Sequence, residues 1–168
     1  KDQDIPLSVS KPWNILSVGD LLPIDFNSVV VQIIDKLKKH NVIGRVIIGG
    51  LIGSNKGIYF ENEKFLPSFT KKDLAAFKIA TDLGIDVIAL SFASDSKSIK
   101  QLRKFFDYDI DVIAKIENDL GLKKIDEICE ACDSLIIDRG DLSRYVPIEK
   151  IIFAQQYIIK CSNRFSKE

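Results

Sequence analysis

Short apolar runs alternate with amphipathic stretches along the second half of the chain. The apolar runs occupy 86–92 (DVIALSF), 112–117 (VIAKIE) and 134–137 (SLII). Runs of this length that are apolar almost throughout are typical of parallel strands buried on both faces of a sheet. Stretches with helical periodicity flank these runs, at 71–83, from about 95, at 122–131 and from 147 or 148 to 161. This alternation predicts β/α units joined by right-handed crossovers.

The helix predicted over 71–83 has clear end signals. Thr70 is followed three residues later by Asp73, a capping box in which Asp replaces the usual Glu or Gln. Gly84 ends the helix. The apolar residues within it have the spacing of one core-facing stripe, at Leu74, Phe77, Ile79, Ala80 and Leu83.

The first part of the chain has a different pattern. Residues 21–31 predict two strands with Pro23 and Asn27 as breakers, and the β-branched run 42–48 (VIGRVII) predicts another. The stretch 33–41 has the charge pattern of a short helix, although a continued hairpin fits it equally. We therefore predict two domains, a small mostly-β segment over 1–57 and about three β/α units over 58–168.

A glycine-rich loop, GGLIGSNKG, follows the 42–48 run and carries Lys56 near its end. Glycines with a lysine are typical of loops that surround a phosphate, but the spacing here differs from the P-loop pattern. The alternative is a flexible connection between two modules, and the sequence favours this alternative.

About three β/α units cannot close an eight-stranded barrel. They form either an arc of a TIM (β/α) barrel, which typically needs about 250 residues, or a small open sheet. In both architectures the chemistry occurs at the carboxyl ends of the strands. The polar residues predicted at those ends are Ser91, Lys115, Glu117, Arg139 and Asp141.

Lys115 and Glu117 are two residues apart at the end of the 112–117 run. On an extended strand this spacing places both side chains on one face, with Ala114 and Ile116 on the other. Asp141 follows the next predicted strand, so two adjacent parallel strands would bring the three side chains together. Two structural alternatives stay open, a salt bridge between Lys115 and Glu117 and a helix N-cap at Asp141.

The charges of the chain balance, so electrostatics favours neither nucleic acid nor an anionic membrane surface as a partner. The 168 residues contain 24 basic and 24 acidic residues, so nothing favours nucleic acid or an anionic membrane surface, and a small molecule or a protein is the expected partner. No apolar run approaches the roughly 18 residues of a membrane span, and no signal-peptide pattern opens the chain, so we expect a cytoplasmic protein. The chain begins with Lys and lacks Met, and we therefore expect a fragment, an excised domain or a processed product.

Cysteine spacing suggests a second kind of site. Cys129 and Cys132 form a C-E-A-C pattern that fits half a zinc site or a redox pair. No second ligand pair accompanies them, and the single histidine, His40, lies far away in the sequence. We therefore favour two thiols that pack at the edge of a core.

Several of these segments together resemble pyruvate kinase. The resemblance runs from about residue 18 to the end, and its motifs occur in the same order as in that family: GGLIGSNKG, LPSFTKKD, IALSFA, AKIENDLG, IDEICEACDSLIIDRGDLS and VPIEKIIFAQ. It implies a catalytic TIM barrel, of which 58–168 would be an arc, and a lid domain, to which 1–57 would belong. The implied reaction is a step of glycolysis, phosphoryl transfer between phosphoenolpyruvate and ADP that gives pyruvate and ATP.

The resemblance also implies roles for individual residues. Lys115 would stabilise charge on the transferred phosphoryl group and the enolate, and Glu117 and Asp141 would bind Mg²⁺. The amides of Gly140 and Asp141 would meet the substrate carboxylate. Further substrate contacts are expected from Lys56, Ser91 and Arg139. A K⁺ ion would be held by residues outside this chain.

The chain departs from the family pattern beside this site. The family typically reads A-R-G-D-L-G, whereas Asp138 and Ser143 replace its alanine and second glycine, and Arg144 and Tyr145 follow. Asp138 adds a third carboxylate, which is costly unless a cation compensates it. The family's other ligand-binding strands lie outside 1–168, so we expect this stretch alone to be inactive and to form a homo-oligomer or pack on further domains.

Two other functions stay open. A degenerate, non-catalytic interaction module would have the same fold, because fold alone does not decide function. A metal-dependent aldolase or lyase acting on 2-keto acids would use a similar glutamate and aspartate pair.

Overall fold

The computed structural model describes residues 4–7, 12–37, 41–59 and 69–168. The chain divides into two compact units, Lys1–Leu66 and Pro67–Glu168. The first unit extends nine residues beyond the predicted boundary at 57. The assignment of 1–57 to a lid and of 58–168 to a barrel concerns the family's domains and stays a prediction.

The first unit is built on a three-stranded antiparallel sheet in the order β1-β2-β3. A short helix, α1 (Pro12–Ile15), precedes the strands β1 (Leu21–Ile24), β2 (Val29–Lys36) and β3 (Val42–Ile48). The predicted strand pair over 21–31 is confirmed, but Pro23 does not break a strand, because it lies within β1 and pairs with Val30. The helical interpretation of 33–41 is wrong over 33–36, because β2 continues through Lys36 and pairs there with Val42. Residues 38–40 lie outside the described part of the chain.

The glycine-rich loop packs against the turn that joins β1 and β2. A Cβ atom at Gly50 would lie 2.2 Å from the Ser28 carbonyl oxygen, so only glycine fits this approach. Lys56 Nζ lies 3.1 Å from a carboxylate oxygen of Asp25 in the same turn. Beneath the turn, the core of this unit contains Leu16, Leu22, Ile24, Val29, Val31 and Ile33. The loop is therefore anchored within its own unit.

The second unit is a parallel sheet with helices. Its strands are β4 (Val87–Leu90), β5 (Asp111–Ile116) and β6 (Ser134–Ile137), paired in the order β4-β5-β6. Its helices are α2 (Lys71–Asp82), α3 (Ser96–Arg103), α4 (Asp119–Lys123), α5 (Ile125–Ala131), α6 (Arg139–Leu142) and α7 (Ile151–Arg164), the last preceded by a 3₁₀ turn (Ile148–Lys150). The predicted parallel β/α order is confirmed. Its place in a closed barrel stays a prediction.

The capping signals act as the sequence indicates. The Asp73 amide donates to Thr70 Oγ1 at 3.2 Å, and the Thr70 amide donates back to the Asp73 carboxylate at 2.7 Å. Gly84 has a φ of +65°, the left-handed conformation in which glycine ends helices without strain. The predicted bounds of α2 are therefore confirmed to within a residue.

Three other element boundaries differ from the sequence prediction. The helix predicted over 122–131 is two helices, α4 and α5, because the chain leaves helical geometry at Lys124 (φ −113°, ψ 22°) and α4 begins earlier, after the N-cap Asn118. The last helix continues to Arg164. Strand β4 ends at Leu90 because Phe92 adopts a φ of +52° and cannot continue an extended strand.

The core of the second unit lies against one face of β5. Val112, Ala114 and Ile116 are fully buried there, as the alternation along the strand predicts. They belong to one cluster with the apolar faces of α3 and α5, which contribute Ile99, Leu102, Ile125 and Ile128. The opposite face of β5 carries Lys115. Within the described ranges, no helix combines the length and apolar character needed to span a membrane.

Candidate active site

Lys115 and Glu117 meet at the carboxyl end of β5. Lys115 Nζ lies 2.6 Å from Glu117 Oε1, and the prediction that the two side chains share a face is confirmed. The Glu117 side chain is only 1 % exposed, whereas that of Lys115 is 24 % exposed. A carboxylate buried so deeply requires charge or hydrogen-bond compensation. Lys115 supplies part of it.

The second oxygen of Glu117 is held by the backbone after β4. The Phe92 amide donates to Glu117 Oε2 at 2.5 Å. Phe92 has a φ of +52°, a left-handed conformation that costs a non-glycine residue about 1–2 kcal/mol. This strained turn aims the amide at the carboxylate and fixes the Glu117 side chain. The sequence prediction missed Phe92 because a backbone donor leaves no signal in the residue type.

Asp138 connects the end of β6 to the same pair. It is the N-cap of α6, since its Oδ1 accepts a hydrogen bond from the Asp141 amide at 3.3 Å. Its Oδ2 lies 3.4 Å from Lys115 Nζ. The alternative in which Asp141 is the N-cap is therefore wrong, because Asp141 is the third residue of α6 and Asp138 caps the helix.

Asp141 lies beside a second cation. Its Oδ1 is 3.2 Å from a guanidinium nitrogen of Arg144, whose side chain is 15 % exposed. One oxygen each from Glu117, Asp138 and Asp141 lies within 4.8 Å of the others. The third carboxylate that Asp138 adds is therefore compensated by Lys115 and Arg144, which the sequence analysis did not predict.

Both partners of the Lys115–Asp138 pair favour their charged forms. The hydrogen bond to Glu117 raises the pKa of Lys115 above its usual value, and Asp138 adds to this effect against partial burial. Burial opposes the ionisation of Asp138, but the Asp141 amide and Lys115 together outweigh it and lower the pKa of that carboxyl. The site therefore combines a charged Lys115 ammonium with an ionised Asp138 carboxylate at neutral pH.

The donor set fits a hard divalent cation. Mg²⁺ prefers oxygen ligands, accepts as few as one or two carboxylates and completes its shell with water and substrate oxygens. Glu117, Asp138 and Asp141 supply carboxylate oxygens close together. The side chains of Asp138 and Asp141 are partly open to solvent. The residues present therefore fit such an ion.

Comparison with known proteins decides the family. The whole chain, residues 1–168, matches the family model described as pyruvate kinase, barrel domain. This chain belongs to the pyruvate kinase family. The resemblance seen in the sequence is thereby confirmed.

Curated pyruvate kinases from distant organisms align with most of the chain. The enzyme of Geobacillus stearothermophilus is 38 % identical over 96 % of this chain and 29 % of its own length. That of Methanocaldococcus jannaschii is 32 % identical over 97 % of the chain and 36 % of its length. Plastidial pyruvate kinase 3, chloroplastic, of Arabidopsis thaliana is 33 % identical over 88 % and 26 %. The chain thus spans about a third or less of the length of these pyruvate kinases.

Within the second unit of this pyruvate kinase family member, the structure brings some predicted site residues together and leaves others apart. Lys115, Glu117 and Asp141 belong to one cluster through Asp138. Ser91 and Arg139 are exposed residues next to β4 and at the start of α6, and within the described residues no side-chain hydrogen bond or ion pair joins them to Lys115. Lys56 pairs with Asp25 in the first unit.

The cysteines lie in the core of the second unit. Cys129 and Cys132 are fully buried and both are free thiols. Burial raises the pKa of the Cys129 thiol to about 11, with smaller contributions from neighbouring thiols and Asp126. A protonated, buried thiol is a poor nucleophile and a poor metal ligand. These properties support the interpretation of both residues as packing groups.

Proposed function

We propose that this chain provides the metal- and phosphoryl-binding centre of a pyruvate kinase. The reaction would transfer a phosphoryl group between phosphoenolpyruvate and ADP and give pyruvate and ATP. The observation that carries the proposal is the approach of Lys115 Nζ to Glu117 and Asp138 beside Asp141, at the carboxyl end of a parallel sheet. In α/β folds this edge of the sheet is where ligands bind.

Lys115 is the proposed catalytic residue. Phosphoryl transfer requires positioning and positive charge around the transferred group rather than a covalent nucleophile. The raised pKa of Lys115, which arises first from its hydrogen bond to Glu117, keeps the ammonium charged throughout the neutral pH range. Its side chain is 24 % exposed and so remains accessible to a ligand.

Glu117 and Asp141 are the proposed ligands of Mg²⁺. A bound Mg²⁺ would polarise phosphoryl and carboxylate oxygens of the substrate. The chain's own contribution is to hold the carboxylates in place: the Phe92 amide fixes Glu117, and α6 positions Asp141. A K⁺ ion, as the family implies, would bind outside this chain.

The remaining site assignments are also proposals. The amides of Gly140 and Asp141 would contact the substrate carboxylate, with supporting contacts from Ser91, Lys56 and Arg139. The Asp141 amide donates to Asp138 here, so a substrate carboxylate would compete with that hydrogen bond.

The proposed context is an arc of a TIM barrel in an oligomeric enzyme. The second unit would contribute three strands to the barrel, and residues 1–57 would belong to a lid. We expect location in the cytoplasm, although the Arabidopsis relative is named as chloroplastic. No observation favours the interaction module or the 2-keto acid aldolase that the sequence left open.

The test is substitution of Lys115 in the full-length protein. Lys115→Met keeps the aliphatic length of the side chain and removes the ammonium. We expect phosphoryl transfer to fall by at least about 100-fold, since removal of one preorganised group that stabilises developing charge costs about 10²–10³ in kcat. The matched control is Lys123→Met, which removes an exposed lysine paired with Asp119. Equal turnover in the parent and the Lys115 variant would exclude the proposed role.

A further inference from the structure

In each carboxylate of the cluster, one oxygen is bound by a backbone amide or by Arg144. Glu117 Oε2 accepts from the Phe92 amide at 2.5 Å, and Asp138 Oδ1 accepts from the Asp141 amide at 3.3 Å. Asp141 Oδ1 pairs with Arg144 at 3.2 Å. These contacts come from three separate segments, the turn after β4, the start of α6 and the residues after α6. They fix the orientation of the three side chains.

The other oxygens of Glu117 and Asp138 converge on one point, which the Lys115 ammonium occupies. Glu117 Oε1 lies 2.6 Å from Nζ, and Asp138 Oδ2 lies 3.4 Å from it. A cation is therefore already held between the two carboxylates, and it belongs to the chain. This arrangement is more specific than a group of acidic residues, because each carboxylate has one oxygen for the scaffold and one for a cation.

We propose that Asp138 is a third carboxylate ligand of the divalent cation, beside Glu117 and Asp141, and that Lys115 holds the same position until the ion binds. This inference rests on the proposed function in one respect, the presence of a divalent ion at this site. It adds a ligand at a position where the family pattern has alanine, and it assigns to Lys115 a role before substrate is present.

The distances agree with this role. Ligand oxygens of an octahedral Mg²⁺ ion, each about 2.1 Å from it, are about 3.0 Å apart when they are neighbours and about 4.2 Å apart when they lie on opposite sides. The three carboxylate oxygens lie within 4.8 Å of one another, so no two of them have to approach by more than about 1.8 Å. Side-chain torsions of aspartate provide this movement without a change of backbone.

The charges explain why an exchange is favourable. Three carboxylates, one ammonium and one guanidinium leave the cluster with one net negative charge. That charge attracts a divalent ion, and binding of the ion changes the sign of the cluster. Lys115, displaced from Glu117 and Asp138, would then be free to face an anionic ligand. The Asp138 carboxylate would thus strengthen binding of the divalent ion, and the bound ion would release Lys115 from Glu117 and Asp138.

The cap function of Asp138 can be separated from its charge. Capping uses Oδ1 and the Asp141 amide, and asparagine and serine cap helices about as well as aspartate. Asp138→Asn therefore keeps the start of α6 and removes the anionic oxygen that faces Lys115. Asp95→Asn is the matched control, because Asp95 is the N-cap of α3 through the Ser98 amide and is not a member of the carboxylate cluster.

The experiment measures Mn²⁺ binding to the full-length protein by electron paramagnetic resonance and calorimetry, without substrate. We expect Asp138→Asn to weaken binding at least about tenfold. Removal of an outer-shell partner of a metal site costs about 10–100-fold in affinity, and removal of a direct ligand should cost no less. Asp95→Asn should leave the affinity unchanged. Lys115→Met should tighten binding, because it removes the internal competitor. Asp138→Ser, a neutral cap as well, replaces the Asn variant should the latter fail to fold.

The outcomes separate this inference from the proposed function. Unchanged Mn²⁺ affinity in Asp138→Asn together with weakened binding in Glu117→Gln would overturn the role of Asp138 and leave the proposed function in place. Weaker binding in Lys115→Met would overturn the exchange. Unchanged affinity in both Asp138→Asn and Glu117→Gln would overturn this inference and the proposed metal site together.

Discussion

Glu117 is the least exposed member of the cluster, and its chemistry follows from that burial. Its two oxygens have different partners, the Phe92 amide and the Lys115 ammonium. A buried carboxylate that lost either partner would carry an uncompensated desolvation cost. Glu117 is therefore both a proposed ligand and a residue on which the local structure depends.

Glu117→Gln tests the ligand role at the residue scale. The amide oxygen of glutamine still accepts from Phe92, but the negative charge is lost. We expect the Mg²⁺ affinity of the full-length protein to fall at least about tenfold, as charge count governs the affinity of oxygen-ligand sites. Calorimetric titration measures it, with Glu127→Gln as the control because Glu127 contacts Lys124 and Ser96 and is not a member of the carboxylate cluster. Equal affinity in the parent and Glu117→Gln would favour a purely structural salt bridge.

At the scale of elements, Asp133 connects neighbouring elements at the amino-terminal edge of the parallel sheet, opposite the candidate site. Its Oδ2 accepts from the Val112 amide at 2.6 Å and pairs with Arg103 at 2.5 Å. Arg103 also donates to the carbonyl oxygens of Ile110 and Ala131. One ion pair therefore connects the end of α3 with the starts of β5 and β6.

Asp133→Ala should destabilise the second unit. The change leaves the Val112 amide without its acceptor, and loss of a partner at such a group costs about 1–3 kcal/mol, here toward the lower end because Asp133 is partly exposed. Urea denaturation measures the free energy of unfolding. Asp126→Ala, which breaks the exposed Asp126–Arg164 pair, is the control and should cost at most about 1 kcal/mol. Equal losses in the two variants would contradict the proposed role of Asp133.

The stabilisation by Asp133 should depend on pH. Burial opposes its ionisation, but the Val112 amide and Arg103 outweigh burial and lower the pKa of Asp133. A carboxyl group with a lowered folded-state pKa contributes stability above its unfolded-state pKa of about 3.9, and this contribution is lost as the pH falls through the folded-state pKa. The difference in unfolding free energy between the parent and Asp133→Ala should therefore decrease as the pH is lowered below about 3.9. A difference that grows on acidification would have the wrong sign.

The elements were largely predictable because their signals are local. The capping box of Thr70 and Asp73 and the apolar runs of β5 and β6 depend on neighbouring residues only, and the strands lie within two residues of their predicted ends. The continuation of β2 through Lys36 depends on its pairing with β3, a contact between distant residues. Periodicity within one segment does not contain that information.

The candidate site was predictable in part for the same reason. The shared face of Lys115 and Glu117 follows from strand geometry. The hydrogen bond from the Phe92 amide to Glu117 and the ion pair of Lys115 with Asp138 depend on how distant segments meet after folding. The cap at Asp138 and the ion pair of Arg144 with Asp141 join residues three apart, but the four-residue helix α6 is too short to give a periodic pattern. Residue types alone therefore indicated the position of the site but not the hydrogen bonds that hold it.

At the scale of the molecule, the second unit exposes strand edges and large apolar side chains. Within its described residues, β4 and β6 each pair with β5 alone, so each has one edge without a strand partner. The faces of a parallel sheet are typically covered as well. Large apolar side chains are exposed on its strands and on α7, among them Val87, Ile136, Ile152, Phe153 and Tyr157. The curated relatives are about three times as long as the matched stretch. A larger barrel would cover these surfaces.

Hydrogen exchange tests this barrel proposal. In the full-length protein, amides of β4 and β6 should exchange more slowly than in the isolated 168-residue chain, because further strands would bond them. The amides of β5 are paired on both sides in either case and serve as the internal reference. Equal exchange of β4 and β6 in both proteins would contradict the placement of the second unit in a closed barrel.

Anomalous diffraction from crystals of the full-length protein soaked with Mn²⁺ and oxalate tests the central proposal most directly. Oxalate supplies the carboxylate oxygens of a small ketoacid-like ligand, and Mn²⁺ takes the same oxygen ligands as Mg²⁺. The account requires an anomalous peak within about 2.0–2.6 Å of carboxylate oxygens of Glu117 and Asp141, with Lys115 directed toward the oxalate. A peak elsewhere in the molecule, with Lys115 still bound to Glu117 and Asp138, would contradict it.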